Sequence, residues 1–216
     1  AIRDGSVVVV PTETAYALAV DATNKAAVQK LYTIKNRPDS KPIFVMVNSI
    51  DMAELYGNFS DKAKQLAMQH WPGPLTIIVE KQTHPPVTTP SRLRTGQAQP
   101  PSFDSAQDML MQRGAGAPDL APNLNVVDTT IGIRWTSNPI AQQIIAKLGK
   151  PITATSANVS GEDSCYTVAE IKKEFPEAKD VAGIVEGGNL QQGELSTIVK
   201  CINEKIEVLR KGKIKL

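Results

Sequence analysis

Two pairs of polar residues, set in otherwise apolar and β-branched surroundings, are where this sequence could do chemistry. Lys35 and Arg37 stand two apart in Lys35-Asn36-Arg37-Pro38, and Ser156 and Asn158 stand two apart just before Gly161. A lysine offers a point charge and an arginine a planar fork, the combination that holds phosphates and carboxylates. Small hydroxyl and amide residues let donors come close to phosphate oxygens. Thr12, Glu13, Thr14 and Tyr16 follow one apolar run, Ser196 and Thr197 begin another, and Arg210 ends the last. Each group also has a plainer reading. Thr-Glu-Thr is ordinary turn chemistry, Lys35 and Arg37 suit the cationic end of a helix, and Ser-Ala-Asn before glycine is a common turn. Together they suit a polyanion. The matching reaction needs charge stabilisation and alignment rather than a nucleophilic side chain, as in attack of a carboxylate oxygen on an α-phosphate.

Other chemistries have little support. With two histidines, His70 and His84, and two cysteines, Cys165 and Cys201, the chain lacks the residues for a histidine zinc site, a Ser-His-Asp triad or a disulfide framework. Gly188 to Ser196 (GNLQQGELS) nearly has P-loop spacing, but Glu194 stands where the phosphate-binding lysine belongs. A net charge of +2 from 24 basic and 22 acidic residues excludes a histone-like or acidic-tail protein. No apolar run approaches membrane-span length and no leader opens the chain, so the expectation is a soluble protein of a reducing compartment, the cytoplasm.

The elements that must position these residues interleave strands and helices. Strands are expected at 7–10, 43–47, 75–79, 128–135, 152–154, 181–185, 196–202 and 205–210, the last two as a hairpin about Asn203-Glu204. Asn24 caps a helix carrying Ala27, Val28, Leu31 and Ile34 that ends near Lys35, because Pro38 disfavours helical geometry at Arg37. Ser49 and Ser60 cap two short helices, with Gly57 ending the first. Asn138-Pro139 opens a helix that Gly149 closes, and Thr167 with Glu170 forms a capping box. The fold class is α/β: one domain over 1–216, an open twisted sheet with flanking helices, made mixed by an antiparallel hairpin. Residues 84–123 hold seven of the fifteen prolines and little periodic apolar signal. They read as a Pro/Gln/Gly-rich insertion, disordered or mobile, either neutral or a lid over the site.

Seven segments, in order, carry a resemblance: VVVVPTETAYALAVDATN, KNRP, WPGPLTIIV, TIGIR, ATSANVSG, STIV and VLRKG. The sequence resembles the YrdC-like family of threonylcarbamoyl-AMP synthases, in the short form without the extra C-terminal domain. The resemblance implies an open α/β sheet around a positively lined cavity. The implied reaction takes L-threonine, bicarbonate and ATP, with Mg²⁺ on the triphosphate, to threonylcarbamoyl-AMP and pyrophosphate. A separate threonylcarbamoyl transferase complex would use that adenylate to modify tRNA. Carried over by motif, Lys35 and Arg37 are the catalytic pair, stabilising transition-state charge and holding the carboxylate and the phosphates. Thr14, Tyr16 and Thr130 contact threonine. Arg134, Ser156, Asn158, Ser196 and Arg210 contact the nucleotide, Mg²⁺ lying near Ser156 and Asn158 without direct protein ligation. Ala17 and Ala19 replace glycines usual in the family, adding methyl groups that would narrow the threonine pocket.

Two rivals remain. One is a carbamoyl-adenylate-forming relative, which normally sits in a much longer chain with cysteine-rich motifs. The other is a non-catalytic module for double-stranded RNA or tRNA, using Lys200, Lys205, Arg210, Lys211, Lys213 and Lys215 as a phosphate-tracking strip.

Overall fold

The structure is a computed structural model that describes residues 1–82, 118–127, 129–176 and 181–216. Strands β1 (Val7–Pro11) and β2 (Tyr16–Ala19) form a hairpin buried on both faces, as their unbroken apolar runs require. Helix α1 (Lys25–Ile34) follows, its Asn24 side chain accepting from the Ala27 amide, and β3 (Phe44–Val47) returns to the sheet. Ser49 and Ser60 cap α2 (Ile50–Glu54) and α3 (Asp61–His70), which flank the two-residue strand β4 (Gly57–Asn58). Then come β5 (Leu75–Lys81), β6 (Asn125–Val127), β7 (Thr130–Trp135), α4 (Pro139–Leu148), β8 (Ile152–Ser156) and α5 (Val168–Glu174). The last strands are β9 (Val181–Ile184), β10 (Thr197–Ile202) and β11 (Lys205–Arg210).

Nine strands run β11-β10-β5-β7-β3-β8-β2-β1-β9, with β4 on β5 and β6 on β7. Among the described residues only β1·β9, β3·β7 and β5·β10 are parallel, so the mixing goes well beyond the expected terminal hairpin. That hairpin is present, with Asn203 and Glu204 both at positive φ (50° and 61°), the backbone of a two-residue turn that matches strand twist.

Capping residues placed the helix starts correctly: Asn138 accepts from Ile140 and Ala141, Gly149 closes α4 at φ 73°, and the Thr167–Glu170 box is complete. Gly57 does not end α2. A Cβ there would lie 2.5 Å from a Val79 methyl, so Gly57 instead lets β4 close onto β5. The expected strand from Asp128 begins at Thr130, residue 128 lying outside the described residues. Of the stretch 84–123, residues 84–117 also lie outside them. Its end is core rather than surface drape: Leu120 and Ala121 are buried, and the Ala121 amide donates to the Ala22 carbonyl.

Alternation along the strands gives the sheet two unlike faces. Val45, Val47, Ile77, Val79, Ile131 and Ile133 turn one way and are fully buried. Met46, Thr76 and Arg134 turn the other way, and that face is hollowed.

Candidate functional site

A single cross-strand row builds one wall of the hollow. Met46 pairs with Arg134, and the β5·β7 register, continued by one pair, puts Thr76 on Arg134's other side. Thr76 pairs with Ile198, and Ile198 with Arg210. Two arginines three strands apart, roughly 14 Å along the row, therefore share a face. On the far side Phe44 pairs with Ala154 and Ser156 with Ala17. Apart from Ile198, these residues line a cavity of about 170 Å³, together with the β1–β2 turn and Arg37. Its charged lining residues are three guanidiniums, Arg37, Arg134 and Arg210, with no carboxylate among the described lining residues.

Neutral oxygens aim two of these cations. Arg37 donates through Nε to the Lys41 carbonyl and through Nη2 to that of Pro42, both at 2.9 Å. Arg210 donates to the Ser196 carbonyl at 3.0 Å and to its hydroxyl at 2.9 Å. Burial pulls both below the usual guanidinium range, and for Arg210 the charge of Arg134 adds to it. The third is held by charge: Arg134 Nη2 lies 2.9 Å from Glu13 Oε1 and donates to Thr14 Oγ1 at 3.1 Å. Its Nε is buried without a hydrogen-bond partner.

The two polar pairs do converge, but not as equals. Lys35 is 1% exposed, and its Nζ donates to the carbonyl oxygens of Ser156 and Asn158, each at 2.5 Å. It stands behind the wall that Ser156 forms and does not line the cavity. Burial first, and then the charge of Arg37, pull its pKa down to about 7. Asn158 is also behind the wall. Its Oδ1 accepts from the Ser156 hydroxyl, and its Nδ2 donates to the carbonyls of Val159 and Glu162. Lys35 and Asn158 thus fix the backbone turn that presents Ser156. Asn158 Oδ1 also takes a long contact from the Lys35 ammonium, at 3.4 Å.

The structure places two further expected site residues differently from the rest. Tyr16 touches the cavity, but its hydroxyl donates to the Gly188 carbonyl at 2.8 Å and accepts from the Gly187 amide at 2.9 Å. The hydroxyl anchors the segment after β9. Thr130 sits opposite Glu80, four residues along β7 from Arg134, or roughly 13 Å, and is absent from the lining. Sharing a strand with Arg134 did not place it at the same end. Thr14, Arg37, Arg134, Ser156, Ser196 and Arg210 all line the cavity as expected. Of the two family departures, Ala17 puts its methyl group in the wall, whereas Ala19 is buried beyond it. Sequence reasoning missed Thr76, whose signal is a lone hydroxyl at the start of an apolar strand.

The basic C-terminal strip is also less free than its composition suggests. Arg210 is turned to the cavity, and Lys215 pairs with Glu194 at 2.7 Å.

The profile of the Sua5, YciO and YrdC proteins, described as "Telomere recombination", matches residues 1–102 and 106–212. A Bacillus subtilis protein named threonylcarbamoyl-AMP synthase is 32% identical over 215 residues, covering 99% of this chain and 51% of the relative. A Yersinia enterocolitica protein of the same name is 28% identical over 90% of this chain and 86% of its own. The crystal structure of Pyrococcus abyssi Sua5 complexed with L-threonine superposes with a TM-score of 0.76 at 25% identity, over 98% of this chain and 52% of that one. The chain therefore spans about half the length of the B. subtilis and P. abyssi proteins and most of the Yersinia one.

Proposed function

The chain belongs to the Sua5/YciO/YrdC family, and from that premise we propose that it is an L-threonylcarbamoyladenylate synthase, a nucleotidyltransferase. It would join L-threonine, bicarbonate and ATP into threonylcarbamoyl-AMP, with release of pyrophosphate. The adenylate then serves a transferase that modifies tRNA. One observation carries the reading: three guanidiniums from three distant segments, with the Ser156 hydroxyl, meet in one cavity.

The chemistry follows from that lining. Threonine's amine takes up CO₂ to give a carbamate, and a carbamate oxygen attacks the α-phosphate as pyrophosphate leaves. Charge on the phosphate oxygens grows in that step. Arg37, Arg134 and Arg210 are already oriented by fixed backbone and side-chain partners, so they stabilise it with little reorganisation. Lys35 contributes from behind, holding the Ser156–Asn158 turn in place. Thr12 and Thr14 share a hydrogen bond of 3.1 Å at the mouth of the hairpin, and their hydroxyls suit the polar groups of an amino acid.

Mg²⁺ would arrive on the triphosphate. Among the described residues no three His, Cys, Asp or Glu side chains gather as a metal site, and Glu13, the carboxylate beside the cavity, is already paired.

The test is pyrophosphate release with ATP and bicarbonate, with and without L-threonine, and with L-serine as a control. Threonine-dependent release is expected. Release that depends on carbamoyl phosphate instead, or no release at all, would overturn the reading.

A further inference from the structure

Arg134 differs from its two companions in how it is held. Arg37 and Arg210 rest on neutral oxygens, whereas Arg134 is the cavity guanidinium that carries an ion pair among the described residues. Its partner comes from behind. Glu13 does not line that cavity. It lines a second one on the other side of Thr14, under residues 191–194. Thr14 is common to both, so the β1–β2 turn is the partition, with Glu13 on one side and the Arg134 guanidinium reaching the other.

Glu13 is itself rigidly placed. Its Oε2 accepts from the Thr136 hydroxyl at 2.5 Å. Thr136 is tied to the start of α4: its hydroxyl accepts from the Asn138 amide at 3.2 Å and its carbonyl from Gln142 Nε2 at 2.7 Å. Burial pushes the Glu13 carboxyl up, but the Arg134 charge and the hydrogen bond from Thr136 outweigh it and leave it below the ordinary value. The carboxylate is thus a charged, helix-anchored stop against one end of the guanidinium. On that cation Nη2 donates to Thr14 and is ion-paired with Glu13 Oε1, which accepts no hydrogen bond, while Nε, on a residue only 7% exposed, has no hydrogen-bond partner. A buried donor on a cation is costly to leave unpaired. In a cavity that cost is removed when a ligand oxygen arrives.

We propose that Glu13 is a positioning residue: it grips Arg134 from outside the cavity and turns the free part of the guanidinium toward an anionic oxygen of the substrate. That oxygen belongs to a phosphate of ATP or to the carboxylate of L-threonine, and the binding measurements below separate the two. Glu13 touches neither substrate and takes no proton in the reaction. Supporting residues of this kind hold a contact group to within fractions of an ångström, and loosening them weakens the contact without removing it. The proposal rests on the function given above.

Glu13→Gln is the test, because the amide keeps the size and can still accept from Thr136 while losing the charge. Binding of ATP and of L-threonine is measured by calorimetry, and pyrophosphate release gives kcat and KM. The expected result is about a tenfold weaker Kd and higher KM for one of the two substrates. The other substrate should change less than threefold, and kcat by no more than about threefold. Arg134→Ala should weaken the same substrate, and Glu13→Gln/Arg134→Ala should be no weaker than Arg134→Ala alone. Three results would overturn the proposal: additive losses in the double variant, equal losses for both substrates, or a fall in melting temperature with Kd and KM unmoved. If the wild-type protein binds ATP and releases pyrophosphate but Glu13→Gln behaves as wild type, the positioning role fails and the function stands. If the wild type does neither, both fail.

Discussion

The ammonium of Lys35 lies 2.5 Å from the carbonyl oxygen of Asn158, 123 residues further along the chain, and this contact holds the first polar pair against the second. Two backbone carbonyls are unusual company for a lysine, because they solvate the amine without neutralising it. Ser160 returns the contact, its amide donating to the Lys35 carbonyl at 2.8 Å.

A pH-dependence of stability follows from that burial. Lys35 is drawn down to about 7, chiefly by burial and secondly by Arg37, whereas an unfolded lysine keeps its proton to about 10.4. Between those values the unfolded chain binds more protons, so this group makes the fold more stable as pH rises, by up to about 1.4 kcal/mol per pH unit. Below the lower value the effect is flat. Lys35→Met removes it. Urea unfolding at pH 7, 8 and 9 should show the gap between wild type and variant changing in favour of wild type as pH rises. A gap that stays constant over this range would contradict a lysine that loses its proton inside the fold.

Tyr16→Phe tests whether that ring serves the ligand or the scaffold. The substitution removes the acceptor for the Gly187 amide and the donor for the Gly188 carbonyl. These groups are partly reached by water, so the expected cost is about 1 kcal/mol. Hydrogen exchange should rise most at residues 187–190. A loss of substrate affinity with unchanged exchange there would instead place the hydroxyl on the ligand.

Local signals made some of this legible and long-range register hid the rest. Asn24, Ser49, Ser60, Asn138 and Thr167 act within three residues of themselves, so the helix starts could be read directly. The Lys35–Arg37 and Ser156–Asn158 pairs stood out by residue type. Which member of each pair faces the cavity depends on how β2 and β8 align, and nothing near Lys35 in the chain encodes that. Thr130 and Arg134 show the same gap. They share β7 and even a face, yet the cavity lies over only one end of the strand. Gly57 reads as a helix stop in the sequence because glycine commonly plays that part, while its actual constraint is a valine methyl on another strand.

Gly212, two residues after the last strand, packs against the backbone of the cavity rim. A Cβ there would fall 2.2 Å from the Leu195 carbonyl oxygen and 2.8 Å from both the Ser196 carbonyl carbon and the Thr197 amide nitrogen. All three are backbone atoms of the segment that presents Ser196, so the clash cannot be relieved by a side-chain rotation. Gly212→Ala should destabilise the protein by about 1–3 kcal/mol, the usual range for overpacking. It should also weaken substrate binding, since Arg210 takes its direction from Ser196. Thermal unfolding and ATP calorimetry on the same preparation would show both. A destabilised variant with wild-type affinity would separate the rim from the site.

Ala17 offers the complementary experiment, on the space inside the cavity. Its Cβ faces the hollow beside Ser156, its direct partner across the β2·β8 ladder. Ala17→Val adds two methyl groups to the wall at a strand position where a β-branched residue is favoured. They point into open volume, so the fold should change by less than about 1 kcal/mol. Occupancy of the cavity should suffer much more. A substrate resting against β2 loses van der Waals fit and must shift away from Ser156, and a tenfold loss of affinity needs only about 1.4 kcal/mol. The expected outcome is a melting temperature within a few degrees of wild type and at least a tenfold rise in Kd for ATP or L-threonine. Wild-type affinity for both substrates in Ala17→Val would mean that neither one reaches this wall.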